Sequence, residues 1–286
     1  MILYMKKIAF LFLTIDNINF PSIWTKYLQD NNDKYTIYIH PKHPKNVIWQ
    51  KEHIISNLHD TEWGFITRAY IELLKAALLD KDNVKFITLS ESCIPIQSFD
   101  KFYSAVMSDE RSWIKLLEMT SYQKSNVLKK TQGNFIYHYA RWCINRHHVK
   151  KILVSNLDFF HDMHIGDEYF LSALYPLTNY RDFDVIFDDW EYTKEKYKET
   201  KHIIKLLYEE QENIKTINNT KLIDRLKKEL SYENGHPKTI TDVRDDLLKI
   251  KNCESFFYRK FAPNSNIEQY WDDIISYHDN KHKLTI

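Results

Sequence analysis

The sequence has few of the residues that cross-link a chain or interrupt it. Of 286 residues, four are glycine, seven are proline and three are cysteine. Cys93, Cys143 and Cys253 are odd in number and far apart, so we expect no disulfide framework and a reducing compartment. No linker rich in glycine, serine or proline divides the chain, and no internal repeat is present.

The sequence also lacks an excess of charge and a long apolar run. Its 40 basic and 39 acidic side chains give a formal charge of +1, which argues against broad electrostatic attraction to nucleic acid or membranes. The N-terminal apolar run, Ile8–Leu13, is too short for a membrane span and lacks the spacing of a cleaved signal peptide. We therefore expect a buried first strand, no anchor or signal peptide, and a cytoplasmic protein (in the host cytoplasm if the source is a virus).

Hydrophobic residues are plentiful. They make up 43% of the sequence and aromatic residues 15%, which is ample for a packed core. The length suits one large domain or two small ones. Lysine, isoleucine and asparagine are abundant, as AT-rich genomes tend to produce, which suggests a parasite, a low-GC bacterium or a large DNA virus.

The first hundred residues alternate between strand and helix patterns. Buried or β-branched runs predict three strands, and amphipathic spacing predicts two helices. The strands are Ile8–Leu13, Tyr35–His40 and Val84–Leu89, and the helices are Pro21–Leu28 and Thr67–Leu79. This alternation predicts an α/β fold with a mostly parallel sheet flanked by helices, in which ligands bind at the carboxyl ends of the strands. Thr14, His40 and Ser90 fall there.

The later part of the chain is less regular. We predict strands at Tyr137–Trp142 and Val185–Trp190, and helices at Arg146–Val154 and Asp167–Tyr175. Residues 191–232 are dense in lysine and glutamate with apolar stripes. They predict a helical insertion of one or two helices within a single domain of residues 1–286, or alternatively a contact in a homo-oligomer.

A carboxylate pair near the middle of the chain is a candidate for general-base chemistry. Gly166 permits a tight turn, and Asp167 is a plausible N-cap. Glu168 then lies in the first helical turn, where the macrodipole favours its ionised form. The pattern alone also fits two acids that only cap a helix.

A basic pair near the C-terminus, Arg259 and Lys260, is a candidate for phosphate binding. The pair lies among the aromatic residues Phe256, Phe257, Tyr258 and Phe261. Because neighbours in an extended strand point to opposite faces, we expect only one of the two cations to face a ligand. The alternative is a solvated basic surface, which the aromatic flank argues against.

Two patterns suggest metal ligands. Asp182-Phe183-Asp184 is a DXD tripeptide, and Asp188 and Asp189 end a strand nearby. His161, His164 and Asp167 have loose ligand spacing, but structural zinc needs further ligands in good geometry. We expect no metal site.

Three segments resemble, in the same order, those of the core-2/I-branching glycosyltransferase family. They are Phe86–Ile96, Gly166–Leu171 and Phe256–Pro263. The segment Leu89–Pro95 is most similar to the plant-type branch, and peptide O-xylosyltransferases are also similar. The resemblance implies a GT-A-like (Rossmann-like) fold and an inverting transfer from a UDP-sugar to a hydroxyl group. It also implies that neither a metal nor another cofactor is required.

The resemblance also implies roles for individual residues. Asp167-Glu168-Tyr169-Phe170 matches the family segment that carries the catalytic glutamate, so Glu168 is the expected base. Lys260 precedes Phe261 as the family's phosphate-binding lysine precedes a phenylalanine. Arg259 is expected to pair with an acid or to cap the pocket.

The remaining expected site residues fall into two groups. The expected donor-binding residues, besides Arg259 and Lys260, are Leu13, Thr14, His40, Trp63 (near the uracil) and Ser90. The expected residues on the acceptor or sugar side are Glu91, Arg141, Trp142, Asp189 and Trp190. Arg146 matches a family arginine, and His236 or Lys238 is the candidate for a second phosphate-binding cation.

The resemblance leaves the substrates open. The donor sugar is N-acetylglucosamine, xylose or glucuronic acid, and the acceptor is a glycan, a protein or a small molecule. Two alternatives remain: a metal-dependent GT-A transferase that uses Asp182 and Asp184, and a catalytically silent glycan-binding protein of the same fold.

Overall fold

The computed structural model describes residues 5–119, 135–213, 220–233 and 237–281. Its strands are β1 (Lys7–Thr14), β2 (Tyr35–Pro41), β3 (Asn83–Ser90), β4 (Ile94–Pro95), β5 (Ser112–Leu116), β6 (His138–Asn145), β7 (Tyr180–Arg181), β8 (Ile186–Asp188) and β9 (Phe257–Arg259). Its α-helices are α1 (Pro21–Leu28), α2 (Thr67–Leu78), α3 (Phe99–Ser108), α4 (Arg146–Leu153), α5 (Asp158–His161), α6 (Trp190–Asn213), α7 (Thr220–Glu233), α8 (Leu247–Asn252) and α9 (Trp271–Lys281).

The larger sheet has six strands in the order β2-β1-β3-β6-β5-β7. Strand β6 pairs antiparallel with both of its neighbours, and the other pairings are parallel. The predicted α/β fold with a mostly parallel sheet flanked by helices is therefore confirmed. A smaller sheet, β4-β9-β8, carries Arg259 at the end of its central strand.

The register of the first three strands brings their carboxyl ends to one edge. Leu13 on β1 lies opposite His40 on β2 and Ser90 on β3. Strand β1 lies between the other two, and Ile8 and Phe12 are fully buried, as the continuous apolar run predicts. This edge is where a parallel sheet binds ligands.

Aromatic packing joins the two sheets. Trp24 of α1 stacks on Phe257 of β9 at 5.9 Å between ring centroids, and Phe10 of β1 contacts both rings. All three side chains are fully buried, so each contributes on the order of 2–3 kcal/mol through removal of apolar surface from water. This contact holds the end of β9 near the edge formed by β1 and β3.

The helix predicted over Asp167–Tyr175 is replaced by two 3₁₀ turns, Gly166–Glu168 and Phe170–Leu174. Ile165 adopts a left-handed conformation (φ 55°), and the N–H of Tyr169 bonds to the carbonyl of Gly166. A Cβ on Gly166 would lie 2.2 Å from the carbonyl oxygen of Phe160, so only glycine fits there. The expected N-cap role of Asp167 is wrong, because Asp167 lies inside the turn and caps nothing.

Helices are present where the lysine- and glutamate-rich segment predicts them. Helix α6 buries Ile204 and α7 buries Ile223, while Ile203, Leu206 and Leu222 are exposed. Their assignment to a single domain of residues 1–286, and a role in a homo-oligomer, stay predictions. Within the described ranges, no helix is both long enough and apolar enough to cross a bilayer.

Arg146, expected as a family match, lies at the opposite edge of the sheet from Ser90. Its guanidinium donates to the carbonyls of Leu78, Asp80 and Asn83 at 2.8, 2.8 and 2.9 Å. It therefore joins the end of α2 to the start of β3, and its place is structural.

We predict that Arg146→Ala lowers the free energy of unfolding by about 2–4 kcal/mol, because it leaves three carbonyls without their charged donor. Arg146→Lys should recover only part of this loss, because an ammonium lacks the planar fork of a guanidinium. Urea denaturation measures both, with Lys150→Ala on the exposed side of α4 as the control. A loss below about 0.5 kcal/mol in Arg146→Ala would contradict the structural role.

Candidate active site

A group of charged side chains lies beside the carboxyl end of β3, and we call it the polar cluster. Its carboxylates come from the turn at residues 166–168 and from the segment around β8, and its cations come from β6 and the end of β9. The members are Asp167, Glu168, Asp184, Asp188, Arg141, Arg259 and Lys260.

Glu168 is the half-buried carboxylate of the cluster. Burial, followed by the charge of the neighbouring Asp167, raises its pKa to about 7 against the opposing effects of the Tyr137 hydroxyl and the charge of Arg141. The expectation that a helix dipole favours the ionised form is therefore wrong, because the turn is not an α-helix and desolvation dominates. A carboxylate with this proton affinity accepts a proton readily near neutral pH.

Arg141 is buried between two acids. Its Nη1 donates to the hydroxyl of Tyr70 at 2.6 Å, and the nearby charges of Asp167 and Asp188 help to offset a burial that alone would lower its pKa. Its Nε and one oxygen of Asp167 are buried without a hydrogen-bond partner among the described residues. Arg141 is 9% exposed, so it compensates buried charge and lies below the surface that an acceptor would touch.

Arg259 pairs with an acid, as expected. Its Nη1 donates to Asp188 at 3.0 Å, and Asp188 is 8% exposed. Burial raises the pKa of Asp188, although Arg259 and Arg141 oppose the shift. The charge of Arg259 is thus largely used inside the protein.

Lys260 follows β9 and is half-buried. Burial lowers its pKa, the charge of Arg259 lowers it further, and Glu91 and Asp188 oppose the shift. Within the described residues the Lys260 ammonium has neither a hydrogen bond nor an ion pair within 4.0 Å. Of the two neighbouring cations, Lys260 is the one whose charge is available to a ligand.

The DXD tripeptide is divided between two environments. Asp182 accepts from the N–H of Leu116 and lies 3.4 Å from the Lys115 ammonium, whereas Asp184 is half-buried in the polar cluster. Burial, followed by the charge of Asp188, raises the pKa of Asp184 to about 7. Across the ranges that the structure describes, no three His, Cys, Asp or Glu side chains are grouped so as to hold a metal ion.

The strand-end residues expected on the donor side are mostly occupied by backbone contacts. The Thr14 hydroxyl donates to the carbonyl of Asp16 at 2.7 Å, and Nε2 of buried His40 accepts from the N–H of His59 at 3.0 Å. Burial lowers the pKa of His40, and its Nδ1 has no partner among the described residues. The Ser90 hydroxyl oxygen lies 3.2 Å from the Ser92 hydroxyl oxygen and 3.2 Å from the Cys93 sulfur.

Trp63 is the expected residue that is most open to solvent. It is 60% exposed, and its ring lies 5.1 Å from that of His164. The next residue, Gly64, has φ 81°, and its carbonyl accepts from the N–H of Ile165 at 2.6 Å. The loop with the exposed Trp63 is therefore joined directly to the turn that carries Glu168.

Residues 8–140 match the Core-2/I-Branching enzyme family. The resemblance seen in the sequence is confirmed over this part of the chain. Glycosyltransferase BC10 from Oryza sativa subsp. japonica is 25% identical over 119 residues, which are 38% of this chain and 30% of BC10. The match thus spans about a third of the length of that relative.

A solved structure, that of A197 from STIV, is also similar. It is 13% identical, covers 51% of this chain and 68% of its own, and has a TM-score of 0.27. Leu13, Thr14, His40, Trp63, Ser90 and Glu91 lie inside the range that matches the core-2/I-branching family, whereas Glu168 and Lys260 lie beyond it.

Two residues expected on the acceptor side, Trp142 and Asp189, are buried below the surface that an acceptor would touch. Trp142 is fully buried against Tyr70 and Phe170. Asp189 is 2% exposed and pairs with Lys249 at 2.8 Å, and the N–H of Tyr192 donates to it at the start of α6. The sequence matches of Trp142 and Asp189 therefore reflect packing and helix capping. Trp190 is half-buried, with its indole nitrogen buried.

Lys238, one of the two candidates for a second phosphate-binding cation, is paired with an acid. Lys238 donates to both oxygens of Asp246, at 2.7 and 2.8 Å, and lies over the ring of Tyr192. Its charge is compensated within the protein. His236 lies outside the described residues.

Sequence reasoning missed two tyrosines that face Glu168, namely Tyr137 and Tyr139. The Tyr137 hydroxyl lowers the pKa of Glu168, and burial raises the pKa of Tyr139, which the charges of Asp188, Asp184 and Glu168 raise further. Both lie at the start of the strand predicted over Tyr137–Trp142, and alternate residues of a strand share a face. That periodicity was the available signal, but nothing in the sequence placed this face against Glu168.

We predict that Asp184→Asn stabilises the protein at pH 8 by about 1–3 kcal/mol and has much less effect at pH 5. The carboxyl has a folded pKa of about 7 against an ordinary 3.8. The folded state therefore binds this proton more tightly, and stability falls as pH rises between these values. Urea denaturation at both pH values measures the difference.

Asp182→Asn is the matched control, because Asp182 is exposed and paired with Lys115. It should show no such growth of stability with pH. Equal effects of Asp184→Asn at pH 5 and pH 8 would contradict the buried, protonatable environment of Asp184.

Proposed function

We propose that the protein is an inverting glycosyltransferase that moves a sugar from a UDP-sugar to an acceptor hydroxyl, with Glu168 as the base. The observation that carries the proposal is the half-buried Glu168, with a pKa of about 7, in a chain whose first half matches the core-2/I-branching family. The name of the rice relative, a glycosyltransferase, supports the same activity.

In this mechanism the Glu168 carboxylate takes the proton of the acceptor hydroxyl as the oxygen attacks the sugar. A base works best when its pKa is near the working pH, because it is then ionised in part and still basic. Burial supplies this property to Glu168, since water would otherwise hold its pKa near 4.5. Asp167, adjacent but 5% exposed, is too deep to meet the acceptor.

Lys260 stabilises the diphosphate as it leaves. The charge that develops on the leaving group needs a cation already in place, and the Lys260 ammonium has no compensating ion pair within the described residues. Arg259 forms an ion pair with Asp188, so its charge is not available to the phosphate. The proposal requires no metal ion, and it assigns no second cation.

The uridine is proposed to stack on Trp63. An exposed indole beside a glycine offers a flat face with open approach, and its loop contacts the Glu168 turn through Gly64 and Ile165. Leu13, Thr14, His40 and Ser90 lie at the carboxyl edge of the sheet and are proposed to complete the donor site. The donor sugar is N-acetylglucosamine, xylose or glucuronic acid, and Glu91 is proposed to face the sugar or the acceptor.

We predict that Glu168→Gln lowers transfer from the UDP-sugar by roughly 10²–10⁴-fold, because the amide keeps the shape but cannot take a proton. UDP should still raise the melting temperature of this variant, as it does that of the wild type, by mass action. Activity is followed as UDP release over a panel of the three donors.

Asp167→Asn is the matched control for this test, since it removes the neighbouring carboxylate, which is buried. It should lower activity far less than Glu168→Gln does. Near-wild-type turnover in Glu168→Gln would overturn the assignment of the base, and a melting temperature that responds equally to UDP, ADP and GDP would overturn the uridine site.

We predict that Lys260→Ala lowers the rate by on the order of 10²-fold or more, as for other lost transition-state charges. Wild-type activity should survive excess EDTA, because the cation that meets the diphosphate is a side chain. The two measurements are made with the same donor. Activity that disappears with EDTA, returns with Mn²⁺ and is lost in Asp184→Ala would instead support the metal-dependent alternative.

A further inference from the structure

Asn19 lies in the loop between β1 and α1 and contacts two other segments at the carboxyl edge of the sheet. Its side-chain amide nitrogen donates to the carbonyl of Phe261 at 2.9 Å, and its backbone N–H donates to the carbonyl of Glu91 at 2.9 Å. Both distances are typical of well-formed hydrogen bonds. One residue therefore joins the segment that follows β9 and the turn that follows β3 to the same loop.

These two segments also contact each other. The N–H of Phe261 donates to the carbonyl of Ser92 at 3.2 Å, just beyond the pairing of β9 with β4. The Phe261 side chain is fully buried, and its ring meets that of Phe20 edge-on at 6.4 Å between centroids. Phe261 is thus held by three contacts, with Asn19, Ser92 and Phe20.

Lys260, directly before Phe261, depends on these contacts for its position. Its carbonyl accepts from the N–H of Ile240 at 2.8 Å, but its ammonium has no hydrogen bond or ion pair within the described residues. A side chain without a partner of its own is placed mainly by its backbone. Among the residues that the structure describes, Asn19 makes the only side-chain hydrogen bond to the backbone of residues 260–262.

We propose that Asn19 is a positioning residue that holds the Lys260 ammonium beside the leaving diphosphate, by joining Phe261 to the loop after β1. This inference rests on the proposed function, because the role of Lys260 does. A cation stabilises a developing charge best when it is already in place and needs no reorganisation during the reaction. Asn19 meets that need, since it sets the position of the segment with Lys260 relative to the Glu91 turn.

The contact calls for an amide side chain. A carbonyl oxygen only accepts hydrogen bonds, and the asparagine nitrogen donates one without carrying a charge. An ionised aspartate has the same shape but cannot donate. Asn19→Ala and Asn19→Asp both leave the backbone bond to Glu91 in place, so each removes one contact and not the other.

The test measures both variants with the UDP-sugar donor. Each should lower kcat and kcat/KM alike by about 10–100-fold, because a group displaced by about 1 Å can cost 10²-fold and the lost interaction belongs to the transition state. In the Lys260→Ala background there is no ammonium to position, so Asn19→Ala should cost less than about threefold. A loss as large there as in the wild-type background would overturn the inference.

A second readout does not depend on catalysis. Amide hydrogen exchange of residues 256–263, followed by mass spectrometry well below the melting temperature, should be about tenfold faster in Asn19→Ala than in the wild type. The physical reason is that the Phe261 segment then opens more easily. Unchanged exchange in the folded variant would overturn the inference, whatever the activity.

Asn17→Ala is the matched control in the same loop. Its Oδ1 accepts from the N–H groups of Ile48 and Trp49 at 3.3 and 3.0 Å, so the substitution loosens the loop without removing a contact to Phe261. It should lower the melting temperature but leave the exchange of residues 256–263 unchanged and lower kcat by less than about threefold.

The outcomes separate this inference from the proposed function. If Asn17→Ala and Asn19→Ala lower activity alike, Asn19 is only a packing residue of the loop. If Lys260→Ala loses activity while Asn19→Ala keeps it, the proposed role of Lys260 stands and the positioning role is wrong. If Lys260→Ala keeps full activity while exchange still rises in Asn19→Ala, the contact is real, but the proposed role of Lys260 and this inference are both wrong.

Discussion

The charge of Arg141, held out of water, is the constraint on which the polar cluster depends. A buried guanidinium is tolerated only when acids and hydrogen bonds compensate it, and here Asp167, Asp188 and the Tyr70 hydroxyl do so. These partners come from the Glu168 turn, the end of β8 and the start of α2. Satisfying one buried cation therefore fixes the relative positions of three elements that surround Glu168.

Desolvation gives the two half-buried acids of this cluster their proton affinity. The pKa values of Glu168 and Asp184 are both raised to about 7, chiefly by burial. The neighbouring Arg259 does not reverse this, because its hydrogen bond goes to Asp188. The charges of Arg141 and Arg259 are thus compensated within the protein, and Glu168 and Asp184 titrate near neutral pH.

Much of the α/β frame was predictable because its signals are local. The apolar run of β1 and the helical spacing of α1 and α2 predict those elements closely. The Glu168 turn was wrongly predicted as a helix. Its geometry depends on the packing of Phe160 and Thr67 against Gly166, and a local sequence pattern does not contain that information. For the same reason Asp189 and Trp142 looked like site residues, although burial assigns them to capping and core.

The donor and acceptor sides of the proposed site share one support. Gly64 carries the loop with Trp63, and its carbonyl accepts from Ile165, one residue before the turn that ends at Glu168. The His164 ring fills the space where a Gly64 side chain would lie and contacts both Trp63 and Phe65. In the proposed mechanism, a nucleotide that moves the Trp63 loop would therefore act on the turn that carries Glu168 through the hydrogen bond between Ile165 and Gly64.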